Sequence, residues 1–156
     1  MNDDRRKVLK GTGGMAVMGL AVSAGLFKPG SAWAQTWNKA AFETKSMADT
    51  VKAMGGTTAA ESKEIVITSP DIAENGAVVP FTISSRLAKT ESIALLVEKN
   101  PNALAASFDI PAGTEAGVTT RVKMGQTSNV TALVKADGKF YYTTKEVKVT
   151  MGGCGG

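Results

Sequence analysis

The sequence predicts an all-β fold, an immunoglobulin-like antiparallel β-sandwich with an N-terminal helix. From Ile65 onward, short β-branched runs are separated by Pro, Gly, Asn and Asp, a pattern typical of strands joined by turns. Asp137-Gly138 lies between two alternating runs, as the two-residue turn of a hairpin would. Seven such runs follow one another, which matches the number of strands in the simplest sandwich of this class.

Residues 1–34 are predicted to be a twin-arginine signal peptide that is removed. Arg5-Arg6 begins a basic segment, Gly11 to Phe27 carries no charge, and Ala32-Trp33-Ala34 supplies small residues for cleavage. We therefore expect export to the periplasm in the folded state, and a folded domain over residues 35–150. An uncleaved membrane anchor is disfavoured, because a span needs about 20 strongly apolar residues.

The charge of the chain does not indicate a nucleic-acid partner. The leader holds five of the 18 Lys and Arg and two of the 14 Asp and Glu, so the sequence pI of about 9.2 largely reflects the leader. The remaining residues carry 13 positive and 12 negative groups, a net charge of +1. We expect neither a nucleic acid nor a membrane as partner.

The segment from Trp37 to Met54 is predicted to be one helix. Asn38 is suited to cap its start, and Gly55-Gly56 is suited to end it. Apolar residues recur at helical spacing between these points; they are Trp37, Ala41, Ala48 and Val51.

Seven strands are predicted after this helix. They are Glu64–Thr68, Ala77–Ser84, Ser92–Glu98, Ser107–Ile110, Gly117–Lys123, Asn129–Ala136 and Lys139–Thr150. Asn75-Gly76 and Asp137-Gly138 supply turn residues that tolerate positive φ. In the last strand Val147 and Val149 alternate with charged residues, so one face should be buried, and the strand should anchor the residues that follow it.

The sequence lacks the usual parts of metal, catalytic-triad and nucleotide sites. It contains no histidine, one cysteine, and no glycine-rich phosphate loop between a strand and a helix. We therefore expect no metal, no cofactor and no catalytic residue of the chain's own. A lone cysteine in an exported protein has no partner for an intrachain disulfide, so its thiol is idle, paired between chains, or functional.

The candidate functional element is a flexible carrier arm over residues 151–156 that presents Cys154. Four glycines surround the cysteine; they are Gly152, Gly153, Gly155 and Gly156. Glycine has the widest backbone freedom and no side chain, so these residues add flexibility without bulk around the sulfur. At about 3.3 Å per residue, the arm extends the sulfur on the order of 15 Å beyond the last strand. This reach suffices to enter a deep active site of another protein.

An exposed thiol without positive neighbours has ordinary reactivity, because the thiolate is the nucleophile. We expect activation to come from the active site of a partner, or more weakly from Lys145 and Lys148 if the arm folds back. Presentation to other enzymes is what a covalent carrier requires.

At these residues the chain resembles the SoxY family, the sulfur-carrier subunits of the bacterial thiosulfate-oxidising Sox system. The family signature is the terminal Gly-Gly-Cys-Gly-Gly, here residues 152–156. Further segments are similar to that family; they are Ile72–Pro80, Glu98–Pro101, Thr120–Met124 and Glu146–Thr150. The resemblance implies that Cys154 is the attachment site for thiosulfate-derived sulfur intermediates, and that the chain is a carrier rather than an enzyme.

The resemblance also implies several partners. It predicts a heterodimer with a SoxZ-like subunit, a second small β-sandwich protein. A haem-containing enzyme would load thiosulfate, a hydrolase would release sulfate, and a sulfane dehydrogenase would oxidise the remaining sulfur. The sequence leaves the partner-facing surface open, since exposed strand edges and the predicted helix are equally suitable.

Two alternatives remain at this stage. The chain could be a structural or binding subunit whose Cys154 only forms an intermolecular disulfide, for example a disulfide-linked dimer. It could instead hold sulfur as a thiocarboxylate on Gly156, as ubiquitin-like carriers do. That alternative requires a smaller β-grasp fold and activation in the cytoplasm, which the strand pattern and the leader disfavour.

Overall fold

The computed structural model describes residues 38–150, and every structural statement below refers to that part of the chain. It contains two short helices and nine strands. They are α1 (Lys39–Phe42), α2 (Met47–Ala53), β1 (Ala59–Glu61), β2 (Ile65–Thr68), β3 (Ile72–Ala73), β4 (Val79–Ser85), β5 (Thr90–Val97), β6 (Leu104–Asp109), β7 (Gly117–Val122), β8 (Ser128–Ala136) and β9 (Lys139–Val149). The predicted leader, Trp37 and the carrier arm lie outside the described residues.

The strands form two sheets, as the sequence predicts. The larger sheet has the order β1-β9-β8-β5-β6, with β3 also pairing to β9, and the smaller sheet has the order β2-β4-β7. Most pairs are antiparallel, but β1 and β3 run parallel to β9 at the edge of the larger sheet. The predicted all-β sandwich is confirmed, with two short parallel pairs that the sequence pattern did not indicate.

A hydrophobic core fills the space between the two sheets. In β4 the side chains at alternate positions, Val79, Phe81 and Ile83, are fully buried, while those between them are exposed. Buried aliphatic residues of the larger sheet belong to the same cluster; they include Ile93, Leu95, Val97, Val130, Val134 and Val147. Their burial removes apolar surface from water and is the main force that holds the sheets together.

The helices cover part of the outer face of the larger sheet. Ala41 of α1 and Val51 of α2 join a second buried cluster with sheet residues Ala94, Leu96 and Leu133. This cover explains why β5 is buried on both faces from Ile93 to Val97, whereas β4 shows simple alternation.

The prediction of a single helix from Trp37 to Met54 is wrong, because the segment breaks into α1 and α2 at residues 43–46. Thr44 donates its hydroxyl to the carbonyl of Ala41 at 2.7 Å, and the Ala103 backbone N–H donates to the carbonyl of Thr44 at 2.8 Å. Ser46 is extended and caps α2 by accepting from the backbone N–H of Asp49 at 3.1 Å. These two side-chain bonds, and the backbone bond from Ala103, compete with a continuous helical ladder.

The helix boundaries are otherwise as predicted. Asn38 caps α1 by accepting from the backbone N–H of Ala41, and the chain leaves α2 through Gly55 at φ +86°. Ala48 was expected on the buried face but is exposed, whereas Thr50 is fully buried and bonds to the Thr44 hydroxyl at 2.6 Å. Because of the break, α2 is rotated relative to the continuous helix that was predicted, and a different set of its side chains is buried.

All seven predicted strands are present, with boundaries shifted by at most three residues. The hairpin turn between β8 and β9 is confirmed, since Asp137 and Gly138 both have positive φ, at 48° and 73°. Asn75 does begin a turn, because the Val78 N–H donates to its carbonyl. Gly76 is not at positive φ, so positive φ is not the reason for glycine at this position.

None of the helices within residues 38–150 has the length and hydropathy needed to cross a membrane.

Candidate functional site

Cys154 and the four glycines around it lie outside the described residues, and β9 is the strand that leads to them. We define the arm root as residues 147–150, together with the segments that hold them, β3 with residues 74–78 and the loop 123–127. Its geometry decides where the carrier arm begins and how firmly its base is held.

The backbone of the arm root is hydrogen-bonded up to the last described residue. Lys148 donates its N–H to the carbonyl of Asp71 at 2.9 Å, and Thr150 donates to the carbonyl of Ala73 at 3.1 Å. Between them, the N–H of Val149 donates to the Thr127 hydroxyl at 3.0 Å. With Val147 fully buried in the sandwich core, β9 therefore fixes the chain as far as Thr150.

Gly76 lies where there is no room for a side chain, at a point where three segments of the arm root pack closely together. A Cβ on Gly76 would lie 2.8 Å from Cγ1 of Val149 and closer still to the carbonyl oxygen of Met124. The Met124 N–H donates to the carbonyl of Gly76 at 2.7 Å. Glycine is thus required by the close approach of two backbones.

Lys145 holds the crossover between β2 and β3. Its Nζ donates to the carbonyl of Ser69 at 2.7 Å and pairs with the Asp71 carboxylate at 2.8 Å. The hydrogen bond from Lys145, together with its charge, lowers the pKa of Asp71. Lys145 is therefore engaged in the fold, whereas Lys148 is exposed and makes no ion pair within residues 38–150.

Two large apolar side chains of the arm root are exposed. Ile72 is 56% exposed and Val78 is 51% exposed, on either side of the Asn75 turn.

The shifted titratable groups of residues 38–150 lie at the surface of the domain. Residues 38–150 contain no group of three or more metal-ligating side chains. The groups with shifted pKa in this part all belong to surface ion pairs: Lys145 lowers the pKa of Asp71, Lys135 lowers that of Glu91, and Lys89 and Asp137 shift each other.

Sequence reasoning missed the residues that support the arm root. β3 is only two residues long, which is too short to show the alternation of a strand. Thr127 has no distinctive sequence pattern, and its role becomes visible only in the hydrogen bond that its hydroxyl accepts from the Val149 N–H. The one available signal was Asn75-Gly76, which indicated a turn but not the close approach to Met124 and Val149.

Comparison with known protein families identifies one family that this chain matches. The chain matches the family described as sulfur oxidation protein SoxY over residues 51–154, which includes Cys154. A comparison with curated protein sequences gives no match.

Two solved structures with a similar fold are informative. The sulfur carrier protein SoxY from Chlorobium limicola f. thiosulfatophilum is 36% identical, with a TM-score of 0.60, and the match covers 66% of this chain and 94% of that chain. A superoxide reductase (neelaredoxin) from Ignicoccus hospitalis is 17% identical, with a TM-score of 0.50, and the match covers 55% of this chain and 80% of that chain. The second likeness concerns the sandwich fold alone. With a family match through most of the folded domain and a similar sandwich in a solved member, the chain belongs to the SoxY family of sulfur oxidation proteins.

Proposed function

We propose that the chain is a periplasmic carrier that holds thiosulfate-derived sulfur intermediates covalently on Cys154. The observation that carries the proposal is that the family match runs through residue 154, the position of the sole cysteine. The similar solved structure from Chlorobium is described as a sulfur carrier protein. A persulfide-type linkage suits this role, because it forms and breaks by reversible thiol chemistry.

The geometry of the arm root supports a carrier better than a catalyst. β9 is held by hydrogen bonds up to Thr150, and Cys154 follows four residues later. At about 3.3 Å per residue, its sulfur reaches roughly 13 Å from Thr150. A short arm on a firm base keeps the sulfur cargo at high effective concentration near an enzyme bound to the sandwich.

Three kinds of enzyme would act on the carrier in turn. A haem-containing enzyme would couple thiosulfate to the Cys154 thiol with loss of two electrons, a hydrolase would release the terminal sulfonate as sulfate, and a sulfane dehydrogenase would oxidise the remaining sulfur. The chain would be exported by the twin-arginine pathway together with a SoxZ-like subunit. The chemistry belongs to the partners, and Cys154 stays attached to the intermediates.

Intact mass spectrometry of the protein recovered from cells given thiosulfate tests the proposal. We expect an adduct of thiosulfate or sulfane-sulfur mass that reductant removes and that a Cys154→Ser variant lacks. If the protein is found only as a disulfide-linked dimer, the structural-subunit alternative is favoured. If Cys154→Ser still carries sulfur, Gly156 becomes the attachment site, although the two-sheet sandwich is unlike the β-grasp fold of such carriers.

A further inference from the structure

Asn75 is the only asparagine of the sequence that is followed by glycine. Asparagine is one of the thermolabile residues of proteins. Its side-chain amide carbon is open to attack by the backbone nitrogen of the next residue, and a glycine there leaves that nitrogen unshielded because it has no Cβ. The pair Asn75-Gly76 lies in the arm root, so a chemical change at this point would act on the packing of the arm root.

Both reacting groups are accessible in the structure. The Asn75 side chain is exposed, and Gly76 is partly exposed. The Gly76 N–H donates to no acceptor within residues 38–150. No hydrogen bond of the described fold therefore has to break before the Gly76 nitrogen reacts.

A hydrogen bond holds the Asn75 carboxamide across the Gly76 peptide. Oδ1 of Asn75 accepts from the backbone N–H of Ala77 at 2.9 Å. A side chain that bonds to the amide two residues further on lies over the peptide between them, so Cγ of Asn75 is held beside the Gly76 nitrogen. The same N–H faces the oxygen on which negative charge develops during attack, and such a donor stabilises the transition state.

The contacts that fix Gly76 lie on its other side. The Met124 N–H donates to the carbonyl of Gly76 at 2.7 Å, whereas ring closure uses the Gly76 nitrogen. The space where a Cβ of Gly76 would lie is filled by the Met124 carbonyl and by Cγ1 of Val149. Ring closure therefore does not require the contact with Met124 to break.

We propose that Asn75 is a site of spontaneous deamidation in the folded protein, and that the isoaspartate product loosens the arm root. The Gly76 nitrogen forms a bond to Cγ of Asn75 and loses its proton to water, while Nδ2 gains a proton and leaves as ammonia. The resulting cyclic imide adds one water at either carbonyl carbon, which gives aspartate or isoaspartate at residue 75. No oxidant or reductant takes part, so the inference is independent of the proposed carrier function.

The two products should affect the arm root differently. Aspartate leaves the main chain unchanged, and its carboxylate still accepts from the Ala77 N–H. Isoaspartate routes the main chain through Cβ of residue 75, which inserts a methylene group directly before Gly76. Gly76 lies too close to Met124 and Val149 to shift toward them, so the longer turn should weaken the bond from the Met124 N–H.

Peptide mapping of the folded protein, incubated at neutral pH, measures the reaction. Cleavage after Lys63 and Arg86 gives a peptide of residues 64–86 in which Asn75 is the sole side-chain amide. We expect its amide to convert to aspartate and isoaspartate at a rate within about tenfold of that of the same synthetic peptide, since one hydrogen bond changes a rate by about that factor. A conversion slower than this would show that the fold protects Asn75, and would overturn the inference.

Asn102 is the matched internal control. It is exposed and is followed by alanine, and it lies in a peptide of residues 100–121 whose other asparagine, Asn100, precedes a proline that has no N–H to lose. We expect this peptide to keep its amides while Asn75 converts. Equal conversion of Asn102 and Asn75 would contradict a special role of the Asn75 turn.

Amide exchange tests the loosening of the arm root. In the isoaspartate fraction, separated by chromatography, the Met124 amide should exchange faster than in fresh protein. Asn75→Ser is the matched variant, because serine cannot form the imide and its hydroxyl can still accept from the Ala77 N–H. Asn75→Ser incubated for the same time should show no change.

Unaltered exchange of Met124 in the isoaspartate fraction would overturn the proposed loosening. None of these outcomes affects the mass test of Cys154, because the deamidated residue and the carrier thiol lie in different peptides.

Discussion

Gly76→Ala should destabilise the sandwich at the arm root. The new methyl group would lie 2.8 Å from Cγ1 of Val149 and closer to the carbonyl oxygen of Met124, distances that real Cβ atoms do not adopt. The carbonyl belongs to backbone that is itself held by the bond from the Met124 N–H to Gly76, so the segments must move apart. Overpacking of this kind costs about 1–3 kcal/mol.

The corresponding shift in melting temperature follows from the size of the domain. The entropy of unfolding is about 0.24 kcal/mol per K for a domain of roughly this length, so we expect Tm to fall by about 4–12 °C. Thermal unfolding followed by circular dichroism measures the shift. The loss should appear first as faster amide exchange at Val149 and Thr150, which the displaced segments hold.

Gly125→Ala is the matched control in the neighbouring loop. A Cβ on Gly125 meets no described atom within 4 Å, and its φ is outside the left-handed region. We expect its Tm to change little, or to rise slightly because alanine restricts the unfolded chain. Equal melting temperatures for the two variants would refute the close-approach explanation of Gly76.

Three further outcomes follow from the same structure. Gly138→Ala, at φ +73°, should lower the free energy of unfolding by about 1 kcal/mol in urea titration, and an unchanged midpoint would contradict the strained turn. Lys145→Met should speed amide exchange at Lys148 by freeing the Asp71 segment, whereas unaltered exchange would show that the ion pair is dispensable. Lys145 lowers the pKa of Asp71, and Lys135, followed by the Gly138 N–H, lowers the pKa of Glu91. The two ionised carboxylates therefore stabilise the fold above their ordinary pKa values of 3.8 and 4.5, and this stabilisation is lost as the pH falls below those values. Tm should therefore fall as the pH is lowered through this range. In Lys145→Met the part of this fall that comes from Asp71 should be smaller.

Much of the fold could be predicted because strand alternation and turn chemistry are local. Asp137-Gly138 needed positive φ at both positions, and the alternating runs on either side of it left one register for β8 and β9. The helical segment was only half predictable. The break depends on a hydrogen bond from the Ala103 N–H, just before β6, to the carbonyl of Thr44. The spacing of apolar residues within the helical segment cannot indicate such a long-range contact.

The parts that could not be predicted depend on tertiary pairing. β1 and β3 are three and two residues long, and they are strands only because the edge of β9 supplies their partner. The support of the arm root by Thr127 has the same origin. Cys154, by contrast, was identified from its position among four glycines and from the family signature, and its role as attachment site stays a prediction.

The most direct test of the carrier role is to locate the sulfur on the chain. Cleavage after Lys148 gives a C-terminal peptide of residues 149–156 that contains Cys154 and no other thiol. In protein isolated from thiosulfate-oxidising cells, tandem mass spectrometry should find this peptide with a reductant-labile sulfur adduct on Cys154. If the peptide is unmodified under those conditions, or the adduct lies on Gly156, the account of Cys154 as the carrier thiol is contradicted.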